Sequence, residues 1–520
     1  MPADLPAPRS GDSREADRHF DTDDVRRDLD RSSARSGLIQ MSAQALQLGA
    51  FLASAMIFAR LLTPRDFGLF ALSNTLIAIL GTIRDFGIPM AVAHHEDLDH
   101  DKLNALFWLS VKLSLSLFAV MILTAPVLGW FYGESRLTPM AMLLAVGTLA
   151  LGISVQHESL LVRRMRFGVL RTLDTTAVVT GLCAGVALAI LGAGYWALVC
   201  QVLIAELLRA VGAWFACSWR PSAPPRRSGG ADIRELTKYA GYLSGYQVLV
   251  KFARYMDRVL VGYVSGAAAA GLYYNAQRWA MYPIMQVFPP LMSVAVSGLS
   301  RLRHDPIAFR LAWRKATLPV LSVVVPALTF CAVEPRATVL VIMGPQWEGS
   351  VPVFRLLCLA ALAISVERLS KWLYLAQGAT QRQFVWGLIY APVILMAVVV
   401  GVQWGPVGAA AGFTIASWIL LVPGVAFCLA QSHVRWLDVG AVVWRPAAAA
   451  ALSAAGTISF SRTQSSGSLF EHFVLSAAIF GSLYLLTWVG LPGGRSAASD
   501  AMRLLSSARA SVLRPQETDE

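Results

Sequence analysis

Gln247, Lys251, Arg254 and Arg258 stand at i, i+4, i+7 and i+11 within an apolar run from about Tyr239 to Val264. On a helix this spacing sets them along one face. The run is long enough to cross a bilayer, and an unpaired cation at that depth costs roughly 2.5–3.5 kcal/mol even on the lenient insertion scale. Such a row is tolerated only where the face looks onto water, onto protein or onto an anionic group. Arg278 on the next apolar run adds a cation, flanked by Tyr274 and Tyr282. Asp257 follows Arg254 by three residues and either pairs with it or serves as a gate or coupling group.

Other polar residues fall in apolar surroundings. Gln40, Gln44 and Gln47 repeat at i, i+4 and i+7, a neutral stripe that either lines a cavity or joins packed helices. Glu206 and Arg209, three apart, are expected to neutralise each other. Glu367, Arg368 and Lys371 form either a gate or an ion pair. Arg84 and Asp85 precede Gly87-Ile88-Pro89 and are a further gate or coupling candidate. His94 and His95 lie in an acidic loop, and a metal site there would need ligands from elsewhere, so a solvated loop is expected. The six cysteines include no CxxC pair and read as small apolar residues.

The composition states what must position these residues. A hydrophobic fraction of 56%, charged residues at 15% and a mean hydropathy of +0.55 lie outside the range of soluble domains. The chain reads as an all-α polytopic membrane protein with about fourteen spans. Residues 1–36 are a charged tail. Spans 1–6 fall within 37–217, a polar linker covers 218–236, spans 7–12 fall within 237–431, spans 13–14 within 432–492, and a second tail covers 493–520. The net charge of +12 comes from basic residues in short gaps between apolar runs, which points to membrane orientation rather than to nucleic acid. With the amino terminus inside, the inner loops hold Arg163-Arg164-Met165-Arg166, Arg226-Arg227 and the stretch from Arg301 to Lys315. Both tails are then cytoplasmic.

The halves repeat. Gly68-Leu69-Phe70 matches Gly271-Leu272-Tyr273, and the stretch ending Ile153-Ser154-Val155 matches Ile364-Ser365-Val366, each pair about two hundred positions apart. Six spans per copy give both copies the same orientation, hence a parallel repeat about an axis along the membrane normal. The last two spans lie outside it.

Several stretches then resemble a known family. Ala59-Arg60-Leu61-Leu62-Thr63-Pro64-Arg65-Asp66-Phe67-Gly68-Leu69 is similar to the opening signature of bacterial polysaccharide flippases of the Wzx/polysaccharide-transporter type, within the multidrug/oligosaccharidyl-lipid/polysaccharide exporter superfamily. Asp85-Phe86-Gly87, Leu103-Asn104-Ala105-Leu106-Phe107-Trp108, Arg163-Arg164-Met165-Arg166-Phe167, Ser218-Trp219-Arg220-Pro221 and Gln346-Trp347 continue the likeness. It runs from about residue 37 to 430 and is nearest to the colanic-acid/teichuronic-acid branch.

The resemblance implies fourteen helices in two lobes and export of an undecaprenyl-diphosphate-linked oligosaccharide across the bacterial inner membrane by alternating access. It implies membrane lipid, polysaccharide polymerase and chain-length machinery as partners, and no cofactor. A diphosphate in hydrocarbon needs fixed cations and donors in place of water. Lys251, Arg254, Arg258, Arg278, Gln247 and the stripe of Gln40, Gln44 and Gln47 are the expected lining. Arg84, Asp85, Asp257, Glu367 and Lys371 are the expected gate or coupling groups. Two readings compete: a multidrug/cation antiporter of the same superfamily, and a membrane enzyme such as a polymerase or ligase. Against the enzyme, the short connections show no paired carboxylates or nucleophile, and no P-loop supports ATP drive.

Overall fold

The computed structural model describes residues 49–84, 100–164, 166–223, 234–463, 468–492 and 494. Among them there is no strand. The helices are α1 (Gly49–Leu61), α2 (Pro64–Arg84), α3 (His100–Tyr132), α4 (Leu137–Arg163), α5 (Phe167–Ile190), α6 (Trp196–Ala216) and α7 (Arg234–Arg301). They continue with α8 (Pro306–Val333), the short α9 (Pro335–Ile342), α10 (Val351–Ala376), α11 (Thr380–Gly401), α12 (Gly405–Leu429), α13 (Trp436–Thr463) and α14 (Leu469–Gly490). Nine stretches among the described residues are long and apolar enough to cross a membrane, one of them covering both α11 and α12. The protein is thus multi-pass and all-helical.

α7 breaks at Gly266, whose φ of 82° and ψ of 173° suit only a residue without a Cβ. Its arms, 234–265 and 267–301, are the seventh and eighth expected spans. With α7 counted twice and the eight-residue α9 left out, the described residues hold fourteen helices.

The helix starts follow capping chemistry. Thr63 precedes Pro64, and the Asp66 carboxylate accepts from the Thr63 backbone N–H at 3.0 Å and hydroxyl at 2.7 Å. Asp66 N–H donates back to the Thr63 hydroxyl at 3.2 Å. This is a reciprocal cap with proline at the first helical position. Asp305 does the same work for α8, accepting from Ile307 N and Ala308 N at 3.0 Å with Pro306 behind it. Ser468 and Glu471 form a full capping box on α14.

The described residues divide into two compact units: 76–244 with the segment before Phe58, and Phe58–Thr75 with 245–520. In the first, α4 packs on α3, α5 and α6, and α5 packs on α6. In the second, α10 packs on α8, α11 and α12, and α11 packs on α12. The same neighbour pattern occurs in both, as a parallel repeat requires. α13 packs on α8 and on α14, adding a helix pair outside the repeat.

Within the second unit the start of α2 crosses the start of the second arm of α7. A methyl added at Gly68 would overlap the carbonyl oxygen of Ala267, and one at Gly271 would overlap that of Pro64. Pro64 and Ala267 each lie four residues before their glycine. The contact is therefore reciprocal between the two glycine-centred stretches that match in sequence. Around it, Trp347, fully buried, donates from Nε1 to the Ala59 carbonyl at 2.8 Å, and Gln346 Nε2 reaches the same oxygen. Ala59 lies in the last turn of α1, where carbonyls lack helical partners. Phe67 meets Trp347 edge to face at 5.2 Å.

In the first unit, the segment after α6 is fastened to the start of α3. Asn104 accepts from Ser222 N at 3.1 Å and donates to the Ala223 carbonyl at 3.2 Å. Trp108 Nε1 donates to the Ser222 carbonyl at 2.9 Å, and Trp219 Nε1 to His100 Nδ1 at 3.2 Å. The motif of 103–108 and the motif of 218–221 are two sides of one joint.

Candidate functional site

The charged face of α7 divides between two settings. Arg254 meets Glu367 and Arg368 of α10 and Tyr390 of α11. Lys371, one turn beyond Glu367, lies with its Nζ 5.4 Å from the Tyr246 ring centroid and against Glu367, Arg254 and Arg368. Helical spacing puts Glu367, Arg368 and Lys371 on one side of α10. Three cations and one carboxylate thus lie within electrostatic reach of one another, a surplus of two positive charges within helices long enough to span. Tyr390 is ten residues into α11, about 15 Å along its axis, so the cluster lies well inside helices long enough to span. Arg254 Nε and Nη2 are buried and have no acceptor among the described residues. Glu367 and Tyr390 also line a narrow crevice with Ile364, Ser417, Leu420 and Leu421.

One helical turn later the face does something else. Asp257 is fully buried and accepts from Gln277 Nε2, from Tyr273 Oη at 3.2 Å and from Arg258 N at 2.6 Å. It does not pair with Arg254, the alternative left open by their spacing; its side-chain partners, Tyr273 and Gln277, come from the second arm of α7. Arg258 donates through Nε and Nη2 to Gln277 Oε1 at 2.8 and 2.6 Å. Its guanidinium lies over the rings of Tyr255 and Tyr274, 5.0 and 4.8 Å from their centroids. One Gln277 amide thus serves an arginine and a carboxylate together and joins the arms on either side of Gly266.

Lys251 is half-buried and makes no ion pair among the described residues. Arg278 is half-buried on the second arm of α7. The side chains of Gln247 and Arg84, and all of Gln40, Gln44, Gln47, Asp85, His94 and His95, lie outside the described residues.

The first unit carries the opposite charge pattern. Arg209 of α6 grips Glu158 of α4 with two hydrogen bonds, 3.1 and 2.7 Å, and reaches Asp174 of α5 at 3.2 Å. Arg209 thus binds acids of two other helices, beyond the Glu206 of its own helix that the spacing singles out. The Glu206 carboxylate lies against Gly147 of α4, where a methyl would overlap it. Glu158 and Asp174 escaped the sequence reading because their partner is on another helix. Gln277, Tyr273 and Tyr390 escaped it because uncharged groups in apolar runs carry no periodic signal.

A family described as "Polysaccharide biosynthesis protein" matches residues 57–352. The chain is 23% identical over 397 residues to the lipopolysaccharide biosynthesis protein WzxC of Escherichia coli K12, covering 74% of this chain and 79% of that one. It is 21% identical over 350 residues to the teichuronic acid biosynthesis protein TuaB of Bacillus subtilis 168, covering 65% and 72%. Its fold is similar to that of the lipid II flippase MurJ in an inward closed conformation, with a TM-score of 0.63, 12% identity, and coverage of 87% of this chain and 98% of that one. An inward-facing multidrug-resistance transporter of the MATE family gives a TM-score of 0.59 at 12% identity, covering 78% and 98%. The family match spans more than half of the sequence, and the protein belongs to the polysaccharide biosynthesis protein family.

Proposed function

We propose that the protein is a flippase that carries an undecaprenyl-diphosphate-linked oligosaccharide from the cytoplasmic to the periplasmic leaflet of the bacterial inner membrane. Both termini are cytoplasmic, as the loop charges favour. Two lobes, 37–217 and 237–431, alternate access to the cargo. The observation that carries this reading is the surplus of cations formed by Arg254, Arg368 and Lys371 near Glu367, well inside helices long enough to span. Fixed cations there stand in for the water that a diphosphate loses. The same surplus disfavours a cationic drug as cargo. The names of the relatives, which concern lipopolysaccharide and teichuronic acid biosynthesis, agree with a polysaccharide precursor. Polymerase and chain-length proteins are the partners that would consume the flipped product.

The test is complementation. Arg254→Gln and Lys371→Gln, singly and together, are expressed in a strain lacking its own flippase, with surface polysaccharide and the lipid-linked intermediate measured. Loss of surface polymer with intermediate accumulating on the cytoplasmic side is expected. Full complementation at wild-type protein level removes these residues from the mechanism. Purified protein that altered the glycan's covalent structure would instead establish an enzyme.

A further inference from the structure

Asp438, two residues into α13, is 1% exposed and holds two arginines of α8 at once. Arg310 donates from Nε at 2.7 Å and from Nη2 at 3.1 Å, and Arg314 Nη2 approaches at 2.6 Å. The backbone N–H of Arg435 adds a fourth donor at 2.8 Å. Both carboxylate oxygens are thereby occupied, while a guanidinium has five N–H donors. Most donors of Arg310 and Arg314 remain unused by Asp438, and Arg314 Nε is buried with no acceptor among the described residues. The two guanidiniums carry one positive charge beyond what Asp438 balances, and the exposed side chain of Arg435 adds another.

The surroundings select the kind of anion. Arg310 and Arg314 share a helical stripe with Ile307 and Leu311, which are 79% and 53% exposed. Trp436 and Leu437 flank Asp438 at 49% and 79% exposure. The same end carries the connection before α8, held to that before α13 by His433 Nε2 against the Arg303 carbonyl at 2.9 Å. Arg310 and Arg314 lie about 6 and 12 Å along α8 from its start, within reach of lipid phosphates and upper acyl chains where that start meets the membrane surface. Basic clusters beside exposed apolar side chains at that depth suit a headgroup and its tails together.

We propose that the paired ends of α8 and α13 form a binding site for the phosphate of an anionic phospholipid. Arg310, Arg314 and Arg435 supply the donors, and Asp438 sets the two α8 guanidiniums side by side. Ile307, Leu311, Trp436 and Leu437 receive the acyl chains. The site is separate from the Arg254 cluster, and rests only on the cytoplasmic placement of this end, so it stands or falls independently of the cargo.

Native mass spectrometry of the full chain tests it, after equilibration with vesicles of phosphatidylcholine and phosphatidylglycerol in equal parts. Wild type retains phosphatidylglycerol in preference to phosphatidylcholine by about tenfold or more, and Arg310→Gln/Arg314→Gln loses that preference. Arg435→Gln, which leaves the hydrogen bonds to Asp438 in place, lowers it several-fold at an unchanged melting temperature. Arg254→Gln/Lys371→Gln keeps it, whatever that variant does to transport. Equal retention of the two lipids by wild type, or undiminished retention by folded Arg435→Gln, overturns the proposal. So does displacement of the lipid by inorganic phosphate at millimolar concentration, which would mark a site for free phosphate.

Discussion

Gly68 and Gly271 face each other across the crossing of α2 and the second arm of α7, each occupying the space a side chain would take from the other helix. A Cβ at Gly271 would lie 2.8 Å from Gly68 N, and one at Gly68 would lie 3.1 Å from Gly271 N. The obstructing atoms are backbone, which no rotamer change relieves. Gly68→Ala is therefore expected to destabilise the protein by about 2 kcal/mol or more. Gly81→Ala on the same helix, with nothing within 4 Å of the added methyl, should be neutral or slightly stabilising. Melting temperatures of the two purified variants in detergent decide it; equal values would mean that the crossing is loose.

Gln277 supplies the second test. Its carbonyl accepts from Arg258 while its amide donates to Asp257. Gln277→Leu keeps the volume and removes both functions, leaving a buried carboxylate and a guanidinium short of partners. A loss of about 2–4 kcal/mol is expected, read as a shift in the unfolding midpoint. Asp257→Asn/Gln277→Leu should recover part of it, because the charge that most needs the amide is gone. A double variant no more stable than Gln277→Leu alone would show that Asp257 does not depend on Gln277.

The sequence carried the helices and the duplication more fully than it carried the site. Apolar run length anticipated the helices, and the Gly68 and Gly271 triplets mark the two sides of one helix crossing. The Thr63-Pro64-Arg65-Asp66 stretch could be matched to a family before its work as a helix cap was visible. Periodicity put Lys251, Arg254 and Arg258 on one face, but a shared face does not name what stands opposite. Arg254 meets α10 and α11 while Arg258 turns to Gln277. The partners of Ala59 lie 287 and 288 residues away, beyond the reach of any local pattern. What was missed was long-range or uncharged.

Arg209 gives the third test, in the first unit. It joins Glu158 of α4 and Asp174 of α5 to α6. Removing it leaves two partly buried acids, with side-chain exposures of 16% and 19%, without this cation. Breaking a fully buried pair costs about 3–5 kcal/mol, and the 40% exposure of Arg209 reduces that. Arg209→Ala should cost about 2 kcal/mol in thermal or chemical unfolding. Arg209→Lys keeps the charge but not the two-pronged geometry, so it should restore only part of the loss.

Glu367 gives the sharpest test of the cationic cluster. Among the described residues it is the one carboxylate beside Arg254, Arg368 and Lys371. Glu367→Gln raises the local surplus from two positive charges to three without changing the shape of the side chain. Like charges held together at low dielectric repel strongly, so this variant should be less stable than wild type by about 1–3 kcal/mol. Lys371→Gln removes a cation from the same group and should be nearly neutral. If the two interact, Glu367→Gln/Lys371→Gln will be more stable than the sum of the single effects by about 0.5–3 kcal/mol. Strictly additive losses would mean that Glu367 does not balance Lys371. Added inorganic pyrophosphate, a soluble stand-in for the diphosphate, should stabilise Glu367→Gln more than wild type, since the anion then meets a larger positive charge. Equal stabilisation of the two proteins would separate the cluster from anion binding altogether.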